Sequence, residues 1–309
     1  MKIIFFGSGK FAVSILETMH KNGFDVSLVV SRPDAKKGRH LKLSATPVKE
    51  YALRNKIELF QPEDINSPDS IKTLDQKKAD LFLVVSYGRI LSKNVLSLPK
   101  IMPINIHSSL LPKYRGAAPI SRALIKGEKI TGVTFIKMNE LMDEGDIIFQ
   151  KDIAIESDDN SITLDEKLSR LAAEHTPQVI NDIGKGRFKL KKQEDGKATY
   201  APMLKKIDGL VLWHDTSKQI IDNFKGCFGW PGSFTYCKGK ILKILSMKEC
   251  VCCEKGQPGE IIKAFGDQLV VACSKGCVEI NEVLPESHKK MSVRNFLSGH
   301  DVKIKDKLG

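Results

Sequence analysis

Five apolar runs, at residues 2–6, 25–30, 57–60, 80–86 and 101–106, alternate with amphipathic stretches at 12–21, 47–54, 68–77 and 92–98. Continuous apolar runs suit strands buried on both faces, and the amphipathic stretches between them supply helices to cover those faces. The alternation predicts an α/β chain with a Rossmann-like, mostly parallel sheet. Thr46-Pro47 and Ser67-Pro68 mark helix starts, each a capping hydroxyl followed by proline at the first helical position. Two further apolar runs, at 132–137 and 147–153, are close enough in sequence to extend the sheet as antiparallel neighbours. A long amphipathic helix over about 163–183 then closes a first domain, 1–183.

Residues 184–206 change character. They hold eight basic and two acidic side chains, half of the chain's net charge of +12, together with Gly184, Gly186 and Tyr200-Ala201-Pro202. They read as a basic linker, with a phosphate-contacting strip as the sharper interpretation. Beyond it, short strands at 241–245, 260–265, 268–272 and 277–283, with one helix at 217–223, predict a small OB-like β-barrel over 207–309. All seven cysteines lie after residue 226. Their odd number and the size of the chain favour reduced thiols, and Cys250, Cys252, Cys253, Cys273 and Cys277 lack the paired spacing of a zinc site, so no metal is expected. No apolar run approaches the ~20 residues of a membrane span. The start at Lys2-Ile3-Ile4 has no leader pattern, so a cytoplasmic protein without membrane contact is expected.

Gly7-Ser8-Gly9 at the first strand-to-helix turn nearly matches a dinucleotide fingerprint. The second strand ends in Val30-Ser31-Arg32, without the acid that would hold a ribose hydroxyl, so the glycines are assigned to close strand–helix packing. The chemistry points elsewhere, to Asn105-Ile106-His107. Strand period two sets Asn105 and His107 on one side at the C-terminal edge of the fifth strand, where open α/β sheets bind ligands. An amide beside an imidazole suits the oxyanion of an acyl transfer. A carboxylate to orient and charge the imidazole is offered by the polar turn Met142-Asp143-Glu144-Gly145-Asp146.

The block from Asn105 to Arg122, with Ser109-Leu110-Leu111-Pro112 at its centre, together with that carboxylate turn, resembles the signature of the folate-dependent formyltransferases. The resemblance implies Asn105, His107 and Asp143 as catalytic trio and 10-formyltetrahydrofolate as donor. It also implies folate contacts at Ser109, Leu110, Leu111 and Pro112 and at Ser86, Tyr87, Gly88, Arg89 and Ile90, although the family more often has an apolar residue where Arg89 stands. The acceptor amine would attack the formyl carbon directly, with Asn105 and protonated His107 on the oxyanion and Asp143 relaying the proton through water.

Family members formylate glycinamide ribonucleotide, amino sugars or initiator methionyl-tRNA. The loop 32–42 carries Arg32, Lys36, Lys37, Arg39 and Lys42 against one acid, Asp34, as a nucleic-acid contact would require. In the tRNA-acting branch this loop wedges at the acceptor stem, with Arg39 aligned to its key arginine, and the barrel with Phe228-Gly229-Trp230-Pro231 also resembles that branch. Methionyl initiator tRNA is therefore the expected partner, held by Arg39, Lys36, Lys37, Lys42, Lys191, Lys192, Lys205 and Lys206, and the chain is expected to be a monomer. The alternatives are a sugar-nucleotide formyltransferase of the same plan and an RNA-binding protein on a relict catalytic fold.

Overall fold

The computed structural model describes residues 1–37, 42–250 and 256–309. Two units emerge: Met1–Pro119 with Ile130–Ile155 and Leu164–Pro202, and Ile120–Lys129 with Glu156–Thr163 and Met203–Gly309. Along the first run β1 (Lys2–Gly7), α1 (Lys10–Lys21), β2 (Asp25–Val30), a short hairpin of β3 (Ala35–Lys37) and β4 (Lys42–Ser44), α2 (Pro47–Arg54), β5 (Leu59–Phe60) and α3 (Pro68–Gln76). Then come β6 (Leu81–Val85), α4 (Lys93–Leu96), β7 (Met102–His107), β8 (Ile130–Lys137), β9 (Ile147–Ala154) and most of α6 (Ser161–Gly184), while α5 (Pro119–Ile125), between β7 and β8 in sequence, falls almost wholly in the second unit.

Seven of these strands form one sheet in the order β5-β2-β1-β6-β7-β8-β9. The five from β5 to β7 are parallel, and β8 and β9 each run antiparallel to the strand before. Ile3, Ile4, Phe5 and Phe6 are fully buried, which is the environment that the continuous apolar run of a central parallel strand anticipates. Thr46 accepts from the backbone N–H of Lys49 and Ser67 from that of Ser70, each just ahead of the helical proline. Such caps typically stabilise a helix start by about 1 kcal/mol. Strand order reverses between β1 and β6, so the crevice beyond their C-terminal ends is the switch point at which a doubly wound sheet binds ligands.

The second unit is antiparallel. It comprises α7 (Ser217–Gly226), β10 (Ser233–Cys237), β11 (Lys240–Cys250), β12 (Ile261–Phe265), β13 (Gln268–Ala272), β14 (Cys277–Pro285), β15 (Met291–Ser292) and α8 (Val293–Gly299). The strands follow the path β10-β11-β14-β13-β12, with β15 on β14. The gap between the two edge strands is covered by the final residues: Leu308 bridges Cys237 on β10, and Lys307 bridges Glu260 just before β12. The enclosed core takes Leu242, Ile244, Leu269, Val271, Ile280 and Val283 from the strands and Ile220, Val293 and Phe296 from α7 and α8. Trp213 joins it with its indole N–H donating to Thr235 Oγ1 at 3.0 Å, the partner a buried tryptophan needs. A Rossmann-like sheet and a small barrel are thus both present.

One expectation is corrected. Cys277 is disulfide-bonded, whereas Cys227, Cys237, Cys250 and Cys273 are free thiols. The β11–β14 pairing sets the free thiol of Cys250 opposite Cys277. Spacing along the chain carries no trace of that.

Candidate active site

Asn105 and His107 leave the same side of β7 while Ile104 and Ile106 pack into the opposite face. The turn between β8 and β9 then carries Asp143 to them. Its backbone is left-handed, φ 57°, a conformation that Asp tolerates better than most residues. Asn105 Nδ2 donates to Asp143 Oδ1 at 3.2 Å, and the Gly116 N–H donates to Oδ2 at 2.9 Å. His107 Nδ1 lies 3.6 Å from Oδ2. Nε2 of the same ring is 2.9 Å from the carbonyl oxygen of Tyr114. Both ring nitrogens therefore face oxygen acceptors. The ring and the carboxylate are largely withdrawn from solvent, which strengthens their attraction.

Tyr114 and Gly116 are themselves held by a distant segment. Arg115 N–H donates to the Thr199 carbonyl, Ala201 N–H to the Arg115 carbonyl and Ala118 N–H to the Ala201 carbonyl. Lys191 pairs through its backbone with Ile147 at the start of β9. Between these, Gln193 Nε2 donates to the carbonyl oxygens of Asp143 at 2.7 Å and Gly145 at 2.8 Å. The Arg115 guanidinium is 3% exposed. It donates through Nε to Gln193 Oε1 at 3.1 Å, meets Glu144 at 3.2 Å and donates to Asp195 at 2.8 Å.

The Ser109–Pro112 run divides by exposure. Ser109 is fully buried with its hydroxyl on the Lys113 carbonyl, and Leu111 packs with Ile136 and Ile147. Leu110 and Pro112 remain partly open. Thr134 on β8 ties the run down, accepting from Leu111 N–H at 3.1 Å and donating to the Ser109 carbonyl at 2.6 Å, and Gln150 Nε2 reaches the Leu111 carbonyl at 2.7 Å. Neither Thr134 nor Gln150 had a sequence signal beyond being polar on a strand.

At the end of β6, Val84 pairs with Asn105, which sets Ser86–Ile90 immediately beside the trio's strand. Left-handed backbone at Ser86 and Gly88 turns the chain there. Tyr87 points inward, 1% exposed, with its ring against Phe6, and burial pushes its phenol up to about 12. Ile90 is 72% exposed, and Arg89 donates to the Glu63 carbonyl. The exposed side of this segment is therefore Ser86, Gly88, Arg89 and Ile90, with Tyr87 in the core.

Lys36, Lys37 and Lys42 lie on the β3–β4 hairpin, which among the described residues forms a two-stranded sheet of its own. Arg39 lies outside the described residues. Lys191 and Lys192 are exposed in the first unit, and Lys205 and Lys206 are exposed in the second.

A doubly wound sheet presenting an amide, an imidazole and a carboxylate at one strand edge has the parts of an acyl-transfer enzyme. Residues 1–180 match the family described as Formyl transferase and residues 203–301 its C-terminal domain, and the chain belongs to this formyl transferase family. Among its relatives are two methionyl-tRNA formyltransferases. That of Caldanaerobacter subterraneus subsp. tengcongensis is 39% identical over 98% of each chain, and that of Thermodesulfovibrio yellowstonii is 42% identical over 97% of this chain and 96% of its own. In three dimensions the chain is similar to an N-formyltransferase from Helicobacter canadensis crystallised with folinic acid and dTDP-3-aminofucose. That likeness has a TM-score of 0.68 at 19% identity and covers 91% of this chain and 98% of that one.

Proposed function

We propose that the chain transfers the formyl group of 10-formyltetrahydrofolate to the α-amine of methionyl initiator tRNA. The observation that carries this reading is full-length similarity near 40% identity to methionyl-tRNA formyltransferases, against 19% for the sugar-acting structure. The exposed Lys191, Lys192, Lys205 and Lys206 and the basic hairpin support a nucleic-acid acceptor. The turn that follows β6, the strand paired with that of Asn105, suits a flat folate ring, with backbone polar groups and the exposed Ile90. A charged-tRNA acceptor supports a cytoplasmic enzyme, and a monomer is the state we propose for it.

In this reading the amine nitrogen bonds to the formyl carbon, and the carbon–N10 bond of the donor breaks. Asn105 gives one amide N–H to Asp143 and keeps the other uncommitted among the described residues, so it serves as the oxyanion donor. With Nε2 on the Tyr114 carbonyl, His107 contributes through its positive charge. Asp143 accepts the proton lost by the amine through water and returns it by the same route to N10 of the departing tetrahydrofolate.

The test follows formyl label from the donor, with the full chain offered charged initiator tRNA or an amino-sugar nucleotide. Label on methionyl-tRNA is expected. Label on the sugar overturns the choice of acceptor, and label on neither overturns the enzyme.

A further inference from the structure

Two orienting contacts of the trio depend on a segment that neither family match covers, residues 181–202. Thr199 and Ala201 hold the stretch that delivers the Tyr114 carbonyl to His107 and the Gly116 N–H to Asp143. Gln193 reaches the carboxylate turn itself. Its one amide group spans the carbonyls of Asp143 and Gly145, on either side of Glu144, in a turn whose left-handed backbone at Asp143 needs outside support. The other end of the amide is fixed by buried Arg115, which also grips Glu144 from that turn and Asp195 from the same segment.

We infer that Gln193, braced by Arg115, is a positioning residue that sets the Asp143 carboxylate for the reaction, and that residues 191–201 are part of the catalytic site. The inference rests on the reading of Asp143 as the catalytic carboxylate. A Gln amide is suited to the task because it donates twice from one nitrogen while its oxygen accepts from the guanidinium. Glutamate fits the same space but would turn a carboxylate oxygen on two carbonyl oxygens.

Formyl transfer by the full chain, from 10-formyltetrahydrofolate to methionyl-tRNA, is measured for Gln193→Leu, Asp143→Asn and the double variant under steady-state and single-turnover conditions. Misplacing a reacting group by about 1 Å costs on the order of 100-fold in rate. Gln193→Leu is expected to lower kcat roughly 10- to 100-fold while KM for both substrates stays within about twofold. In the Asp143→Asn background the same change should have almost no effect, because the two residues act in series. If Gln193→Leu fails to fold, Gln193→Glu replaces it and should lose at least as much, a result that space filling alone would not produce. A kcat within threefold of the parent, or a loss that adds in full to that of Asp143→Asn, overturns the positioning role. Near-normal rate in Asp143→Asn overturns the catalytic reading beneath it, which is a distinguishable result.

Discussion

Asp143 and Asp165 are two sheltered carboxylates in the same unit, and they differ in what reaches them. Asp143 receives the Asn105 amide and the Gly116 N–H and faces the His107 ring. Asp165, near the start of α6, receives no hydrogen bond among the described residues. Burial, followed by the Glu166 charge, pushes its carboxyl up to about 6 despite Lys10. A search for displaced carboxyl groups would stop at Asp165. Converging donors favour Asp143 as the proposed reacting carboxylate, because such a group must be held in one place, whereas a desolvated one has only lost water.

The neighbouring glycine turns differ in the same way. Lys10 directly follows Gly7-Ser8-Gly9, the turn that imitates a cofactor motif. A Cβ on Gly7 would lie 2.7 Å from the Phe5 ring and 2.8 Å from Ala12 Cβ, so this glycine lets α1 pack on the sheet. A Cβ on Gly145 would lie 1.8 Å from the Lys137 carbonyl, so that glycine lets the Asp143 turn close.

Exchanging each carboxylate for its amide separates the two most sharply. Asp143→Asn should lower turnover by about 100- to 1,000-fold, the scale of losing one key electrostatic group, while Asp165→Asn leaves it unchanged. Similar losses in both would break the contrast. Next in size, Gly145→Ala and Gly7→Ala should each cost about 1–3 kcal/mol by overpacking, read from denaturant midpoints. Only Gly145→Ala should also lower kcat of the folded protein, and loss of folate affinity in Gly7→Ala would restore the cofactor reading of that turn.

The smallest effect is a pH dependence. The folded pKa of Asp165, about 6, exceeds its ordinary 3.8, so the native state binds the proton more tightly than the unfolded chain. Its contribution to stability is fully present below 3.8 and is lost as pH rises through about 6. Asp165→Asn should flatten stability between those values, measured by urea midpoints across that range, whereas an unchanged slope would assign the dependence to other groups.

The parallel sheet was legible because each central strand is apolar on both faces, which leaves a continuous run that little else produces. In the barrel, β10 carries alternating Ser233-Phe234-Thr235-Tyr236-Cys237 directly after Trp230-Pro231-Gly232, and that short alternating pattern merges with the turn. Short α5 and α8 left too little periodicity to register. Asn105 and His107 could be read from strand period, and Asp143 from a polar turn between apolar runs. Gln193 could not, because its partners are about fifty positions away along the chain and it stands in a run dominated by charge. Tyr87, which the family resemblance includes among the folate contacts, turns its ring into the core, and sequence does not say which way a residue turns at the end of a strand.

The pairing of Lys307 and Leu308 with both ends of the barrel path bears on how copies of this protein meet one another. Without residues 305–309, β10 and β12 would each present unsatisfied backbone N–H and C=O groups, a template for a strand from another molecule. Shortening the chain by these few residues would show itself first as aggregation at high protein concentration, before any change in what the trio can do.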